Sequence, residues 1–311
     1  MAIKKKERML TPEEFKAKQK RDYESFWINS HVLFGANLYP VDDAFTKQVT
    51  ILFLLDPADF TTERVIEIIQ TWKTKYDKLQ WDCVLTFQQK YAFMKNPKFY
   101  ERFKNQKIFI DTFGELFERF GSKSEPVAVV LKNGEFISSM PLLPNFLEMS
   151  YQLEQQLQST LRMDDIGLPL AKVEKWSKKN APLEQQNITP DQVTTFGEWN
   201  GTTSLLMTEK NNSILSIPFK GRFLRLVAMA HPNSRDPIKV SITLNEKSLA
   251  TSIQSSAVHE DNSGITTIEL TKNNGIYDLI QSETPLTGVV KLTFVNTYDN
   301  GAVFYEFKIA S

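Results

Sequence analysis

The sequence predicts two domains of different class, an α/β domain followed by an all-β sandwich. From Gln48 to about residue 160, apolar runs of strand length alternate with segments whose apolar residues recur at helical spacing. From Thr194 onward, short runs alternate apolar and polar residues with a period of two, and turns rich in Asn, Gly and Pro separate them. The stretch between the two regions contains several prolines and little periodicity, which is typical of a linker.

These changes in pattern predict four regions along the chain. Residues 1–47 are predicted to form an N-terminal helical extension, because Thr-Pro-Glu-Glu at 11–14 is a capping box with proline at the first helical position. Residues 48–160 form the α/β domain, 161–193 the linker and 194–311 the sandwich. A chain of 311 residues is long enough for about two domains.

The overall composition argues against several classes of partner. Lys plus Arg and Asp plus Glu both number 37, so charge gives no reason to expect nucleic acid or an anionic membrane as the main partner. No stretch approaches the roughly 18 apolar residues of a transmembrane segment, and no apolar run follows the basic N-terminus as in a signal peptide. Cytoplasm is the default expectation, or periplasm if a leader had been removed.

The α/β elements follow from local patterns. Val49–Leu55 is an unbroken apolar run, as expected for a strand that is covered on both faces. Asn133-Gly134 is a strong signal for a tight hairpin. The other predicted elements are a helix from Thr62, a strand at Trp81–Phe87, a helical segment broken near Pro97, a strand at Lys107–Asp111, a short helix ended by Gly121 and a last helix starting at Pro144.

The C-terminal part predicts a β-sandwich of jelly-roll size. Apolar and polar residues alternate in Ile238–Leu244, again from Val290 to Phe294, and again from Val303 to Ile309. About eight such short strands within one domain are typical of this architecture.

The order of segments from Gln48 to Gln158 resembles a thioredoxin fold, and more narrowly the thioredoxin-like proteins of cytochrome c maturation. The matching segments are "VTILFLL", "WDCVLTF", "IFIDTFGELFERFG" and "SEPVAVVLKNGEF". In that family the last segment begins with a proline in cis beside the active site. The resemblance assigns this role to Pro126, which Glu125 precedes.

The C-terminal segments extend the resemblance. "FGEWNG", "SILSIPFKGRFLRLVAMA", "GVVKLTF" and "AVFYEFKIA" occur in an order similar to the β-sandwich in the soluble tail of DipZ-type cytochrome-biogenesis proteins. That sandwich is regarded as similar to carbohydrate-binding modules. The resemblance therefore implies a thioredoxin-like domain followed by a carbohydrate-binding-module-like domain.

The reactive residues of that family are missing. Its Cys-x-x-Cys pair would fall in or next to "DPADFTTE", where this sequence has no cysteine. Thiol–disulfide exchange needs one sulfur to attack and another to resolve the mixed disulfide, and Asp56 and Asp59 provide neither. Carboxylates at a helix N-terminus are explained by capping and by the helix dipole. Cys83, the one cysteine, lies in an apolar strand pattern and is predicted to be a core residue.

The predicted binding surface is the turn that lacks the cysteines. Asp56, Asp59 and Thr61, with Glu125 and Pro126, would form a groove for an extended segment of a basic or polar partner. A weaker alternative is a general acid–base site, because neighbouring carboxylates raise each other's pKa.

The sandwich contains two further candidate binding sites, and each has a structural and a functional interpretation. Trp199 is expected to pack in the core or at an edge, and the alternative is a stacking platform for a sugar ring. Tyr298, Asp299 and Asn300 are ordinary turn formers, or alternatively a ligand site carried on a loop. The three histidines are scattered and lack ligand spacing, so neither a metal nor a cofactor is predicted.

These observations predict a redox-inactive, non-catalytic binding or scaffold protein whose partner is another protein. Whether the chain is an enzyme stays open, with the missing cysteines arguing against it. One alternative is a thiol–disulfide or peroxide-linked oxidoreductase of the thioredoxin family. Another is a glycan-binding protein that acts through the sandwich.

Overall fold

The computed structural model describes residues 31–34, 37–40, 49–120, 126–143, 145–162, 184–234, 237–295 and 301–311. For 31–34, 37–40, Arg119 and Arg162 it describes the backbone alone. The predicted helix after Thr11, the end of the short helix at Gly121, and Pro144 lie outside the described residues. Contacts divide the chain into two units: the first comprises Met1–Pro57, Thr61–Gln89 and Phe103–Ala181, and the second Ala58–Phe60, Lys90–Arg102 and Pro182–Ser311.

The first unit contains a seven-stranded mixed sheet. Its strands are β1 (His31–Phe34), β2 (Asn37–Pro40), β3 (Val49–Leu55), β4 (Trp81–Gln88), β5 (Lys107–Asp111), β6 (Val127–Lys132) and β7 (Glu135–Pro141), in the order β2-β1-β5-β4-β3-β6-β7. Strands β3, β4 and β5 run parallel, whereas β6 and β7 are antiparallel to their neighbours. This strand order, with a helix after β3, is that of a thioredoxin-like fold and confirms the predicted class.

Among the described residues, three helices accompany this sheet: α1 (Phe60–Lys75), α2 (Glu115–Arg119) and α3 (Phe146–Arg162). The short 3₁₀ turns at Ala92–Lys95 and Pro97–Phe103 fall almost entirely in the segment Lys90–Arg102, which belongs to the second unit. All seven residues of β3 are buried, as its continuous apolar sequence predicted. The Asn133-Gly134 hairpin is also confirmed, because both residues have positive φ, 49° and 80°, and they join β6 to β7.

The hairpin of β1 and β2 differs from the sequence prediction. Residues 1–47 were predicted to be a helical extension, but His31–Phe34 and Asn37–Pro40 pair with each other, and β1 also pairs with β5. A short strand that adds to a sheet edge depends on the hydrogen-bonding partner next to it. The sequence of β1 and β2 alone gave no comparable signal for a strand.

A buried carboxylate fixes the loop between β5 and α2. Asp111 is 2% exposed and accepts hydrogen bonds from the backbone N–H groups of Glu115 (3.1 Å), Leu116 (2.9 Å) and Phe117 (3.3 Å). These donors have no partner within the helix, so Asp111 satisfies the start of α2. Burial raises the pKa of Asp111, and these same hydrogen bonds oppose that shift.

The second unit contains an eleven-stranded antiparallel sheet network. Its strands are β8 (Gln185–Ile188), β9 (Thr194–Phe196), β10 (Asn200–Gly201), β11 (Leu206–Thr208), β12 (Ser213–Ala230), β13 (Ile238–Leu244), β14 (Lys247–Ser248), β15 (His259–Glu260), β16 (Thr266–Leu270), β17 (Ile276–Val295) and β18 (Ala302–Ala310). The main order is β10-β11-β18-β12-β17-β13-β16-β15, with β8 on β18, β9 on β12 and β14 on β13. These strands enclose one apolar core, which fits the predicted β-sandwich.

Two features of this unit were not in the sequence prediction. Strand β8 lies inside the stretch 161–193 predicted as a linker, yet it pairs with β18. Strands β12 and β17 are 18 and 20 residues long, and register shifts interrupt their pairing near Gly221 and Leu224. Bulges of this kind bend a strand and change which side chains face the core.

No helix within the described ranges is long and apolar enough to cross a membrane.

We expect Asp111→Ala to lower the free energy of unfolding by about 2–3 kcal/mol, because three N–H groups at the start of α2, two of them in buried hydrogen bonds, would lose a charged acceptor. Urea denaturation followed by tryptophan fluorescence measures this change. The control is Glu115→Ala in the same helix, whose exposed side chain should contribute within about 0.5 kcal/mol. Equal effects of the two substitutions would contradict the capping role.

Candidate functional site

The turn predicted to bind a partner lies between β3 and α1. Asp56 follows β3 directly and is half-buried, and its backbone carbonyl accepts a 2.6 Å hydrogen bond from the Thr62 hydroxyl. Thr61 and Thr62 are 4% and 1% exposed. Because Leu54 pairs with Val127, the register places the buried Pro126 next to the carboxyl end of β3. The turn and this proline therefore both lie near the carboxyl end of β3.

Residues Ala58–Phe60 of the turn pack within the second unit, around Arg225 of β12. The Arg225 side chain is 1% exposed, and its Nη1 donates a 2.9 Å hydrogen bond to the carbonyl oxygen of Ala58. Its guanidinium carbon lies 4.2 Å from the ring centre of Phe60, which is a close cation–π contact. Asp278 accepts two hydrogen bonds from Arg225, at 2.7 and 3.2 Å, which is the bidentate geometry that suits arginine.

A buried lysine binds the carboxylate of the same turn. Lys308 of β18 is 0% exposed, and its Nζ lies 2.7 Å from Oδ1 of Asp59 and 3.3 Å from Oε1 of Glu306. The Gln185 amide donates to Asp59 Oδ1 at 2.9 Å, and its Oε1 accepts the backbone N–H of Phe60 at 3.1 Å. The first N–H of α1 is thus already satisfied inside the unit.

The second segment of the unit, Lys90–Arg102, completes this arrangement at Glu306. Lys90 Nζ lies 3.1 Å from Glu306 Oε1, and the hydroxyl of Tyr91 donates to the same carboxylate. The backbone N–H of Ala92 donates to the Tyr305 hydroxyl at 3.3 Å, and burial raises the pKa of Tyr305. Both segments taken from the first half of the chain are therefore held by polar groups of β18.

We call Asp59, Glu306 and Lys308 the buried charge cluster; Lys90, whose side chain is 50% exposed, contacts Glu306 from the surface. Its charges alternate in sign along the series of contacts, and each carboxylate touches at least one cation. An isolated charge in an interior costs several kcal/mol, and mutual pairing with additional hydrogen bonds offsets that cost. The cluster explains how β18 holds charged residues although all nine of its residues are buried.

Sequence reasoning missed Arg225, Glu306 and Lys308. A usable signal was present, because these charged residues lie beside or within apolar stretches, "RLVAMA" and "AVFYEFKIA". Lys, Glu and Arg are almost never fully buried unless they are paired. The alternation of apolar and polar residues along β18 predicted a strand with one exposed face. In the structure both faces of β18 are buried.

Of the remaining predicted site residues, the structure describes Trp199. Trp199 is half-buried against the sandwich core, with its ring 5.2 Å from that of Phe294 in an edge-on contact and its indole N–H donating to the carbonyl of Phe196 at 3.1 Å. Glu125, Tyr298, Asp299 and Asn300 lie outside the described residues.

The described residues contain no group of three or more His, Cys, Asp or Glu side chains placed to hold a metal ion. Cys83 lies in β4 and is 1% exposed. Burial raises the pKa of its thiol to about 12.

Comparison with known proteins gives matches to solved structures alone. No family model matches the chain, and no curated protein matches it. A putative thioredoxin from Neisseria meningitidis is 17% identical, with 44% of this chain and 91% of that chain covered and a TM-score of 0.35. A putative thiol:disulfide interchange protein DsbE from Chlorobium tepidum is 16% identical, with 42% and 92% covered and a TM-score of 0.35.

A family two carbohydrate esterase from Cellvibrio japonicus is also similar, at 11% identity and a TM-score of 0.31. The match covers 41% of this chain and spans only 33% of the esterase. The identities and TM-scores of these matches are too low to carry an argument about this chain.

We expect Asp59→Ala and Lys308→Met each to lower the free energy of unfolding by about 2–4 kcal/mol, because each leaves a buried charge with fewer partners. The double variant should lose less than the sum of the two, by about 1–3 kcal/mol, as measured by a double-mutant cycle in urea.

The exposed pair Lys210 and Glu198, 3.7 Å apart, is the matched control for this cycle. Lys210→Met and Glu198→Ala should show a coupling below about 0.5 kcal/mol. Additive losses for Asp59 and Lys308 would mean that their ion pair does not stabilise the fold.

Proposed function

We propose that this chain is a redox-inactive protein with a thioredoxin-like fold, and that it works by binding another protein and not by catalysis. The observation that carries the proposal is the engagement of the turn at Ala58–Phe60. The carbonyl of Ala58, the carboxylate of Asp59 and the N–H of Phe60 are bonded to Arg225, Lys308 and Gln185. Thioredoxin-type chemistry would need these positions to be open to a substrate.

The position of the missing sulfurs supports the same proposal. Since α1 begins at Phe60, the residue before the helix is Asp59 and the one three positions later is Thr62. A helix N-terminus lowers the pKa of a cysteine at such a position, which makes it reactive. Here Asp59 binds Lys308 and Thr62 binds the carbonyl of Asp56, so both side chains have structural partners.

Cys83 does not replace the missing pair in this proposal. A thiol must lose its proton to attack a disulfide, and burial has raised the pKa of Cys83 far above neutral pH. The chain has no second cysteine to resolve a mixed disulfide. The oxidoreductase alternative therefore keeps only the support of a shared fold, which does not carry function with it.

The partner and its surface belong to the same proposal. Asp56, which is half-buried, and Glu125 remain the proposed docking residues for a basic or polar segment. Thr61 and Pro126, which were also predicted there, are buried, and Asp59 is paired with Lys308. The sequence of the second unit supports the finer resemblance to the soluble tail of DipZ-type proteins, and a docking role for both units together suits that arrangement.

Glycan binding through the sandwich is the less favoured proposal. Sugar-binding faces use exposed aromatic rings, and Phe196 is the one exposed Phe, Tyr or Trp side chain in the described part of the second unit. Trp199, the candidate platform, uses its ring against Phe294.

We expect no thiol-dependent reduction of insulin disulfides by the full chain, because it lacks a reactive and a resolving sulfur. A thiol reagent at pH 8 should label Cys83 at least about 100-fold more slowly in the native protein than in urea, since reaction requires opening of the core. Cys83→Ser is the control and should cost about 1 kcal/mol of stability without changing the insulin assay. Reduction that depends on Cys83 would overturn the proposal.

The binding role is tested with a partner that is identified by affinity capture on the full chain from its native cell. We expect Asp56→Lys to weaken that complex about 3- to 10-fold at low salt, mainly through a slower association rate, and less at high salt. Glu209→Lys, an exposed change in the second unit, is the control for altered net charge. Equal effects of both substitutions would remove Asp56 from the proposed surface.

A further inference from the structure

The sandwich of the second unit has a sheet and a core that come from its own part of the chain. Every strand that the described residues contribute to this sheet lies between 185 and 310, and the core cluster runs from Ile188 to Ile309. The segment Lys90–Arg102 belongs to the same unit, yet it forms 3₁₀ turns and is not part of the sheet. Its attachment to the sandwich therefore depends on side-chain contacts and not on strand pairing.

Two aromatic rings attach the segment to β18. Tyr91 and Phe93 are 2% and 1% exposed, and their rings stack on each other with centres 5.1 Å apart. The ring of Tyr305 meets both of them edge-on, at 5.3 and 6.0 Å, and such ring pairs add to the free energy gained by burial. Phe304 and Phe307, close to Tyr305 in β18, belong to the sandwich core instead. One strand thus contributes some side chains to the core and others to the contact with this segment.

A glycine makes room for the Phe93 ring. Gly275 directly precedes β17, and its carbonyl oxygen accepts the backbone N–H of Ala228 in β12 at 3.0 Å. A Cβ atom at this position would lie 1.9 Å from Cδ1 of Phe93, so a residue with a side chain cannot fit while the ring is in place. The pocket for the ring is therefore formed by backbone that hydrogen bonding to β12 holds in position.

Polar groups beside the two rings add specificity to this contact. The Tyr91 hydroxyl donates to the carboxylate of Glu306, and Lys90 Nζ lies 3.1 Å from the same carboxylate. The backbone N–H of Ala92 donates to the Tyr305 hydroxyl at 3.3 Å. A carboxylate next to an aromatic pocket favours a segment that carries a basic residue, a phenol hydroxyl and a second ring. The sequence pattern that this pocket fits is therefore Lys-Tyr-x-Phe.

We propose that this pocket is a binding site for a protein segment of the pattern Lys-Tyr-x-Phe, and that residues 90–93 of the same chain fill it. A partner that presents such a segment binds by displacing residues 90–93, because a second segment can reproduce their side-chain contacts. Covalent attachment gives the chain's own segment a high effective concentration, so it acts as an intramolecular competitor. The site is separate from the docking residues proposed after β3 and does not depend on them.

The first test measures, by fluorescence anisotropy, the binding of a labelled peptide of residues 88–97 to the full chain. Tyr91→Ser with Phe93→Ser empties the pocket, so this double variant should bind the peptide at least about tenfold more tightly than the unchanged chain does. Adding Gly275→Ala should then weaken binding at least about tenfold, because the new Cβ takes the place of the ring. Where circular dichroism shows the double variant to be unfolded, Phe93→Ala replaces it.

A second measurement needs no emptied pocket. Gly275→Ala alone should lower the melting temperature of the full chain by about 4–10 °C, because the added methyl group meets the Phe93 ring. In a chain that carries Phe93→Ala, the same substitution should lower the melting temperature by less than about 2 °C, since the ring is no longer there.

Absence of peptide binding by the folded variant up to about 1 mM peptide would overturn the proposal. Binding that Gly275→Ala leaves unchanged, or binding that a peptide with Phe93→Ser retains in full, would overturn it as well. Equal losses of melting temperature with and without Phe93→Ala would mean that the ring does not need the space at Gly275, which contradicts the proposed pocket.

Discussion

Two fully buried cations, Arg225 and Lys308, impose the constraint on which the second unit depends. A guanidinium or ammonium removed from water must be paired, and the pairing groups here come from Asp278, Asp59 and Glu306. Because Asp59 belongs to a segment more than two hundred residues away in sequence, satisfying Lys308 also fixes where that segment runs. Strand β18 and the Leu224–Ala230 part of β12 are buried on both faces, and these ion pairs lie among their apolar residues.

The same constraint gives a physical account of a thioredoxin-like turn that has no cysteine. A reactive turn needs open donors, an accessible sulfur and room for a substrate beside the helix start. In this protein the helix start is used to satisfy buried charge, since its carbonyl, its carboxylate and its first N–H are all bonded within the unit. A carboxylate at that position suits a buried lysine as well as a helix dipole.

The two units satisfy buried polar groups by different means. In the first unit, Asp111 binds backbone N–H groups at the start of α2, and the hydroxyl of Tyr76 donates to the carboxylate of Glu154 at 2.6 Å. In the second unit, charged side chains bind each other and the segments at 58–60 and 90–102.

The sequence by itself determined the class of each unit and most of the first sheet, because strand burial, hairpin chemistry and period-two alternation are local signals. Val49–Leu55 and Asn133-Gly134 are examples in which one short stretch is sufficient. It also determined that the turn after β3 has no thiol. The tertiary structure alone decided that β1 and β8 join sheets, and that Lys308 meets Asp59. Such pairings depend on residues far apart in the chain, and a single sequence holds no local signal for which distant group will neutralise a buried charge.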